Sequence, residues 1–495
     1  MKKFFCYLFL GLSFTSFAQS ESSLSVVETT PFRDKSHSDK VIAIKTTKED
    51  ITGLVRQGKR DLSFDIYDAQ HQNVFSEVVK IHKKEKYIGD VFYENELKII
   101  TVLKVNRNDR EVYCHNFNLK TKTLDKQLLF KSSVDRKQEL FYVSNKRQTS
   151  VAISPNGKYI AIATDDYNKN TNSYTIRQFD TETLALNFKR SYQNDNDRYF
   201  EPNDIFVDNE AAVYVVGKFF KEGRAQKRKK EANYEFILNK ITSQESQKLV
   251  IALEDEFVQS LNISNKEDQL FLIGFYSERR ARRIKGSCNF TINKSSFDLV
   301  SKSKDPLPVV VYEDLFGDDK GKDKSEKELS NFTIDHFLND ANGNIYILAE
   351  EFYISSNYVS TGMAGGMMVT TPHYDNIIIL KYDSDGKLLW GRSIFKRSTI
   401  PSYNAFVKDD KLHVLLNSGK NLSEKDDGRT KASKGWFESS SLYDFEYDTE
   451  GNVSYNKIQD NKGSTKYYPH NGTYENNTFL MMGGALNQRQ FMILK

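Results

Sequence analysis

"HFLNDANGNIYILAEEFYIS" (residues 336–355) and "DNIIILKYDSDGKLLWGRSIF" (residues 375–395) carry the pattern that decides the fold. Each joins two apolar, alternating runs through a short turn, Asn342-Gly343 in the first and Asp385-Gly386 in the second. Asn-Gly and Asp-Gly tolerate the positive φ that a tight turn between antiparallel strands requires. With the loop between them, the two stretches read as strand, turn, strand, variable loop, strand, turn, strand.

The same unit returns along the chain at a period of roughly 45 to 65 residues, the spacing expected of a repeat architecture. Upstream copies are "GDVFYENELKIITVLKV" with "EVYCHNFNLKTKTLDKQLLF", "TSVAISPNGKYIAIATDD" with "NSYTIRQFDTETLALNFKRSY", and "PNDIFVDNEAAVYVVGKFF" with "YEFILNKITSQESQKLVIAL". A further copy pairs "FVQSLNISNKEDQLFLIGFY" with "CNFTINKSSFDLVSKS", and a downstream one pairs "YNAFVKDDKLHVLLNS" with "SLYDFEYDTEGNVSYNKI". The start supplies three more strands, "KVIAIKTT", "DLSFDIYDAQ" and "VFSEVVKI", and the end three others, within "YYPHNGTY", "NTFLMMGG" and "QFMILK". A final sheet lacking its outer strand predicts a closed ring in which "SLSVVETT" near the N-terminus fills the gap.

On these repeats the chain resembles the β-propeller superfamily, in which four-stranded blades surround a central channel. The resemblance covers nearly the whole chain beyond its leader and is architectural, without a Kelch or Trp-Asp signature. It implies an all-β fold of seven or eight four-stranded blades, with the ring closed by pairing N-terminal and C-terminal strands.

"MKKFFCYLFLGLSFTSFAQS" reads as a secretory signal peptide over residues 1–18: two lysines, an apolar run too short to span a bilayer as a helix, and a small residue, Ala18, before Gln19. Residues 19–495 are expected to form a single propeller domain, secreted to the periplasm or exterior of a Gram-negative cell. No later stretch predicts a transmembrane segment. Cys114 and Cys288 remain after the leader, and two cysteines alone fix no disulfide geometry.

The chain carries 71 Lys and Arg against 67 Asp and Glu, so it is nearly balanced overall. Two loops break that balance. Residues 221–231 set Lys221, Arg224, Lys227, Arg228, Lys229 and Lys230 against Glu222 and Glu231; residues 278–285 set Arg279, Arg280, Arg282, Arg283 and Lys285 against Glu278. Each therefore keeps an excess of four positive charges. Both join the second and third strands of consecutive repeats, and in propellers such loops share a face with the links between blades. Solvated charge is the plain reading of one such hairpin. Two side by side predict an anion-binding face built from Arg224, Lys227, Arg228, Lys229, Lys230, Arg279, Arg280, Arg282, Arg283 and Lys285. Few aromatics interleave with these cations, which argues against nucleic acid. The expected partner is an anionic glycan or an acidic envelope protein, bound by a monomer.

A third loop of the same class, "SSNYVSTGMAGGMMVTTPHYDN", offers Met363, Met367, Met368 and His373 as a partner-binding loop. Thioether-rich loops also suit monovalent copper, but the glycines favour a flexible insertion and no metal or other cofactor is assigned. "DANGN" and "DSDGK" look superficially like calcium loops, yet neither continues to the required Glu, so both are read as hairpin turns. "EDLFGDDKGKDKSEKE" from Glu313 is read as a mobile, mixed-charge link between blades.

No G-x-S-x-G, H-E-x-x-H or phosphate-loop motif occurs after the leader. The eight histidines are scattered singly, each able in principle to meet a carboxylate across the central channel. The sequence thus favours a non-enzymatic binding or scaffold protein. The alternative is a polysaccharide hydrolase or lyase with its site at the channel, marked by paired carboxylates or by a His beside Arg and Tyr.

Overall fold

The computed structural model describes residues 23–33, 40–134, 140–141, 150–168, 171–192, 199–220, 222, 234–278, 283–360, 366–435, 437–485 and 488–495. Eight antiparallel sheets follow one another along the chain, covering residues 40–80, 85–133, 151–192, 199–251, 257–306, 332–394, 403–460 and 473–494; we number them blades 1 to 8. In blades 1 to 7 the four strands pair in chain order.

Burial grades across each blade and fixes its radial orientation. Second strands such as Val213–Phe220 and Gln269–Ser277 are buried on both faces, because each face packs on a neighbouring blade. Fourth strands such as Asn73–Lys80 and Leu299–Pro306 are mostly exposed and form the outer rim. The core is accordingly divided into wedges between blades. Val216 and Leu238 of blade 4 meet Leu261 and Phe290 of blade 5, and Phe271 and Ile273 of blade 5 meet Ile347 and Ile378 of blade 6. Leu480 and Phe491 of blade 8 meet Leu54 and Tyr67 of blade 1, which closes the circle. The chain is an eight-bladed β-propeller.

Closure uses the predicted segment. Val26–Glu28, within "SLSVVETT", pairs antiparallel with the last strand, Val26 opposite Leu494 and Glu28 opposite Met492, and so becomes the outer strand of blade 8. The count is eight because blade 1 is complete by itself. Its second strand, Thr52–Gln57, escapes a reading by alternation, since Gly53 and Arg56 interrupt the apolar run. Arg56 is nonetheless buried, its guanidinium 2.7 Å from the equally buried Asp65.

The turns follow their chemistry. In "DANGN" the Asp340 carboxylate accepts hydrogen bonds from the backbone N–H of Asn342 and Asn344, at 2.9 and 2.8 Å, while Gly343 takes φ +80°. Asp383 and Gly386 repeat the arrangement. Carboxylates committed in this way serve turns, as the hairpin reading expects.

Two segments depart from expectation. The mixed-charge link holds two helices, α1 (Val309–Phe316) and α2 (Asp318–Ser325), in place of a mobile excursion. Val311, Tyr312 and Leu315 of α1 are buried in the wedge between blades 5 and 6, and Asp314 holds Arg392 through two hydrogen bonds of 2.8 and 3.0 Å. The charge count concealed this apolar side. The methionine loop is likewise no plain flexible insertion: strands Ile345–Ser360 and Gly366–Tyr382 extend blade 6 into a long hairpin, with its tip outside the described residues. Among the described residues, no helix is long and apolar enough to cross a membrane. Cys114 and Cys288 are free and buried in blades 2 and 5, and burial pushes the Cys114 thiol up to about 12.

Candidate functional site

Strand order puts the links between blades and the loops joining second to third strands on one end of the ring, here called the link face. Near this end several innermost strands carry a β-bulge, among them those of blades 4, 5 and 6. A bulge bends its strand and re-aims side chains. The second strand must offer room for it. Gly274 lies where a Cβ would come within 1.9 Å of the Ser260 carbonyl oxygen, and Gly217 has the equivalent place in blade 4, against the Glu201 carbonyl oxygen.

The bulges treat the two flanks of blade 5 differently. On the blade 4 side, the Asn203 Oδ1 accepts the Leu261 N–H and the Asp204 carboxylate accepts the Ile263 N–H at 2.8 Å, so side chains stitch one inner strand to the next. On the blade 6 side Phe257–Lys266 faces Phe332–Asn339. A cavity of about 470 Å³ opens there, within the range of small-molecule sites.

The floor of the cavity includes Ser260 and Asn262. Asn262 is only 2% exposed, and its amide has no hydrogen-bond partner among the described residues. Gln259, beside them, is fixed by its Nε2 donating to Ser277 Oγ at 2.8 Å and to the Tyr234 hydroxyl at 3.2 Å. Phe332, Phe352 and the 60% exposed Ile354 form an apolar wall at the base of the long hairpin. Lys218 and Glu201 enter from blade 4, the Lys218 ammonium lying 4.7 Å from the centre of the Tyr234 ring. Arg283 stands exposed at the rim and makes no ion pair among the described residues; its backbone pairs with that of Ser330.

Of the residues predicted for anion binding, Arg283 thus belongs to the cavity. Lys285 instead ties its loop to the end of α2, its ammonium donating to the Glu326 carbonyl oxygen at 3.1 Å and lying 3.9 Å from Glu278. Arg224, Lys227, Arg228, Lys229, Lys230, Arg279, Arg280 and Arg282 lie outside the described residues, as do Met363 and the leader at residues 1–18. Met367 pairs with Val359 across the hairpin, and Met368 is exposed. His373 accepts or donates a 2.8 Å hydrogen bond with Ser355 and stacks on Tyr353, ring centres 4.5 Å apart.

A second polar group, unseen in the sequence, adjoins that stack. The Tyr353 hydroxyl donates to Asp375, which accepts from Arg397 at 3.0 Å; the same guanidinium nitrogen lies 3.7 Å from Glu351. Burial raises the Glu351 carboxyl above its usual range, opposed by Arg397. Beneath it, the buried Lys396 ammonium donates to Glu350 at 2.6 Å and to the Tyr374 carbonyl at 2.7 Å.

His115 and His413 meet carboxylates, each within a blade and not across the channel. His115 lies 2.9 Å from Glu85, which also accepts from Thr101 and Lys126. Burial pushes the Glu85 carboxyl up, but these hydrogen bonds together outweigh it and bring the pKa down to about 2. His413 lies 2.9 Å from Asp444, whose carboxyl burial raises. Glu446 completes a possible set of three metal ligands with them, yet it is already engaged by the Lys411 ammonium and the Ser23 hydroxyl. A cation among the acids makes this group read as a buried polar network.

No family model matches the chain, and no curated protein matches it. Solved structures do. A prolyl endopeptidase aligns at 11% identity over 70% of this chain and 46% of its own, with a TM-score of 0.35, so the chain spans about half the length of that enzyme. The β-propeller domain of the Trilobed protease from Pyrococcus furiosus aligns at 8% identity over 87% of this chain and 96% of its own, TM-score 0.39. The WD40 domain of SCAP from fission yeast does so at 8% over 95% and 94%, TM-score 0.40. Likenesses this distant carry no argument about family or function.

Proposed function

We propose that the chain is a secreted, non-enzymatic binding or scaffold propeller of the bacterial cell envelope, whose link face recognises an anionic glycan or an acidic protein partner. The observation that carries this reading is the cavity on that face with Arg283 at its rim. The cationic stretches of residues 221–231 and 278–285 belong to the adjacent blades 4 and 5, and both join second to third strands. Cations gathered around one concave face raise the local concentration of anions and hasten their arrival.

Replacement of Arg279, Arg280, Arg282 and Arg283 together by Ser tests the reading. Retention on immobilised polygalacturonate should weaken and its dependence on salt should flatten, because fewer screened ionic contacts remain. Unchanged retention removes the proposal.

One observation favours the rival, an enzyme acting on acidic polysaccharide. Glu351, Asp375, Arg397, Tyr353 and His373 bring two carboxylates and a His–Tyr stack together beside the cavity. A carboxyl with a raised pKa suits a general acid. New reducing ends or unsaturated uronates released by the wild type, and lost in Glu351→Gln, would establish it.

A further inference from the structure

The cavity between blades 5 and 6 has a chemistry more specific than positive charge. Its floor presents the amide of Asn262, a buried residue whose side chain has no hydrogen-bond partner among the described residues, beside the Ser260 hydroxyl. An amide both donates and accepts, and so does a sugar hydroxyl, so one hydroxyl-bearing ring can answer both halves of the group. Phe352 and Ile354 offer an apolar wall for the C–H face of such a ring. Arg283 at the rim supplies a forked, permanent cation suited to a carboxylate.

We propose that this cavity binds the end of a uronate-bearing oligosaccharide, its hydroxyls on Asn262 and Ser260, its ring face against Phe352 and Ile354, and its carboxylate on Arg283. The inference rests on the anionic-ligand reading of the link face and narrows it to one class. Asn262 is the group that separates it from plain charge attraction, because the amide is neutral.

Calorimetric titration with trigalacturonate and with its methyl ester tests this on the full chain. The wild type should bind the acid and bind the neutral ester about tenfold more weakly. Arg283→Ser should abolish the preference between acid and ester. Asn262→Leu should weaken both by about tenfold, the range expected when a polar ligand group loses its buried partner. Ile354→Ser, at an exposed position that the fold does not depend on, gives a second reading of the same site if the Asn262 variant fails to fold. Absence of trigalacturonate binding by the wild type overturns the inference, and so does unchanged binding by the Asn262 variant, or by Ile354→Ser where that reading is needed. If the protein is still retained on polygalacturonate in either case, the reading of the link face survives; if retention is absent as well, both fall.

Discussion

The two flanks of blade 5 differ in what their buried polar groups do. Toward blade 4, Asn203 and Asp204 reach across the seam and satisfy the backbone of the next inner strand. Toward blade 6, Asn262 is as buried as Asp204 but has no partner among the described residues, and a cavity stands where the seam would be. Helix α1 wedges that seam with apolar side chains from Val311 to Leu315, and this packing allows its inner end to remain open without loss of the ring. A satisfied polar group holds the blades together. Asn262, unpaired and lining an open cavity, is where a ligand can complete the fold's hydrogen bonding.

Three measurements press on that contrast. Glu85 is the extreme of the satisfied kind, almost fully buried and bonded by His115, Thr101 and Lys126. Its pKa falls from 4.5 to about 2, so its contribution, on the order of 3 kcal/mol, is present above the unfolded value and is lost as the pH falls through the folded one. Urea melts at pH 6 and pH 2 should therefore differ less for Glu85→Gln than for the wild type. Asp204→Ala should destabilise by about 2 kcal/mol, since the Ile263 N–H is left buried without an acceptor. Asn262→Leu should change stability by no more than about 1 kcal/mol in either direction, because no protein hydrogen bond is lost. A large loss in this last variant would mean that Asn262 is a structural group like Asp204, and the contrast would collapse.

Much of the ring was legible because it is written in turn chemistry. Asp340 to Gly343 and Asp383 to Gly386 state hairpins locally, and repetition turns hairpins into blades. Closure was legible from a deficit, the outer strand missing at one end and the spare Val26–Glu28 at the other. Thr52–Gln57 was not, because Arg56 looks like a surface residue until Asp65 is seen beside it. Gly217 and Gly274 stood at matching places in the strands ahead of the two basic loops, and glycine inside a strand is a signal of a nearby bulge. The cavity itself left no such mark. Asn262 sits in an ordinary alternating strand, and its missing partner depends on the separation of two strands far apart in the chain. The Glu351, Asp375 and Arg397 group was hidden for the same reason: a β-bulge in the hairpin and the link after blade 6 bring it together.

Hydrogen–deuterium exchange with and without polygalacturonate tests the central claim, that recognition belongs to the link face beside blade 5, most directly. The account predicts slowed exchange in residues 257–263, 283–285, 331–334 and 352–354, with none in the turns at residues 340–344 and 383–387 on the opposite end. Protection confined to those turns, or spread evenly around the ring, would contradict it.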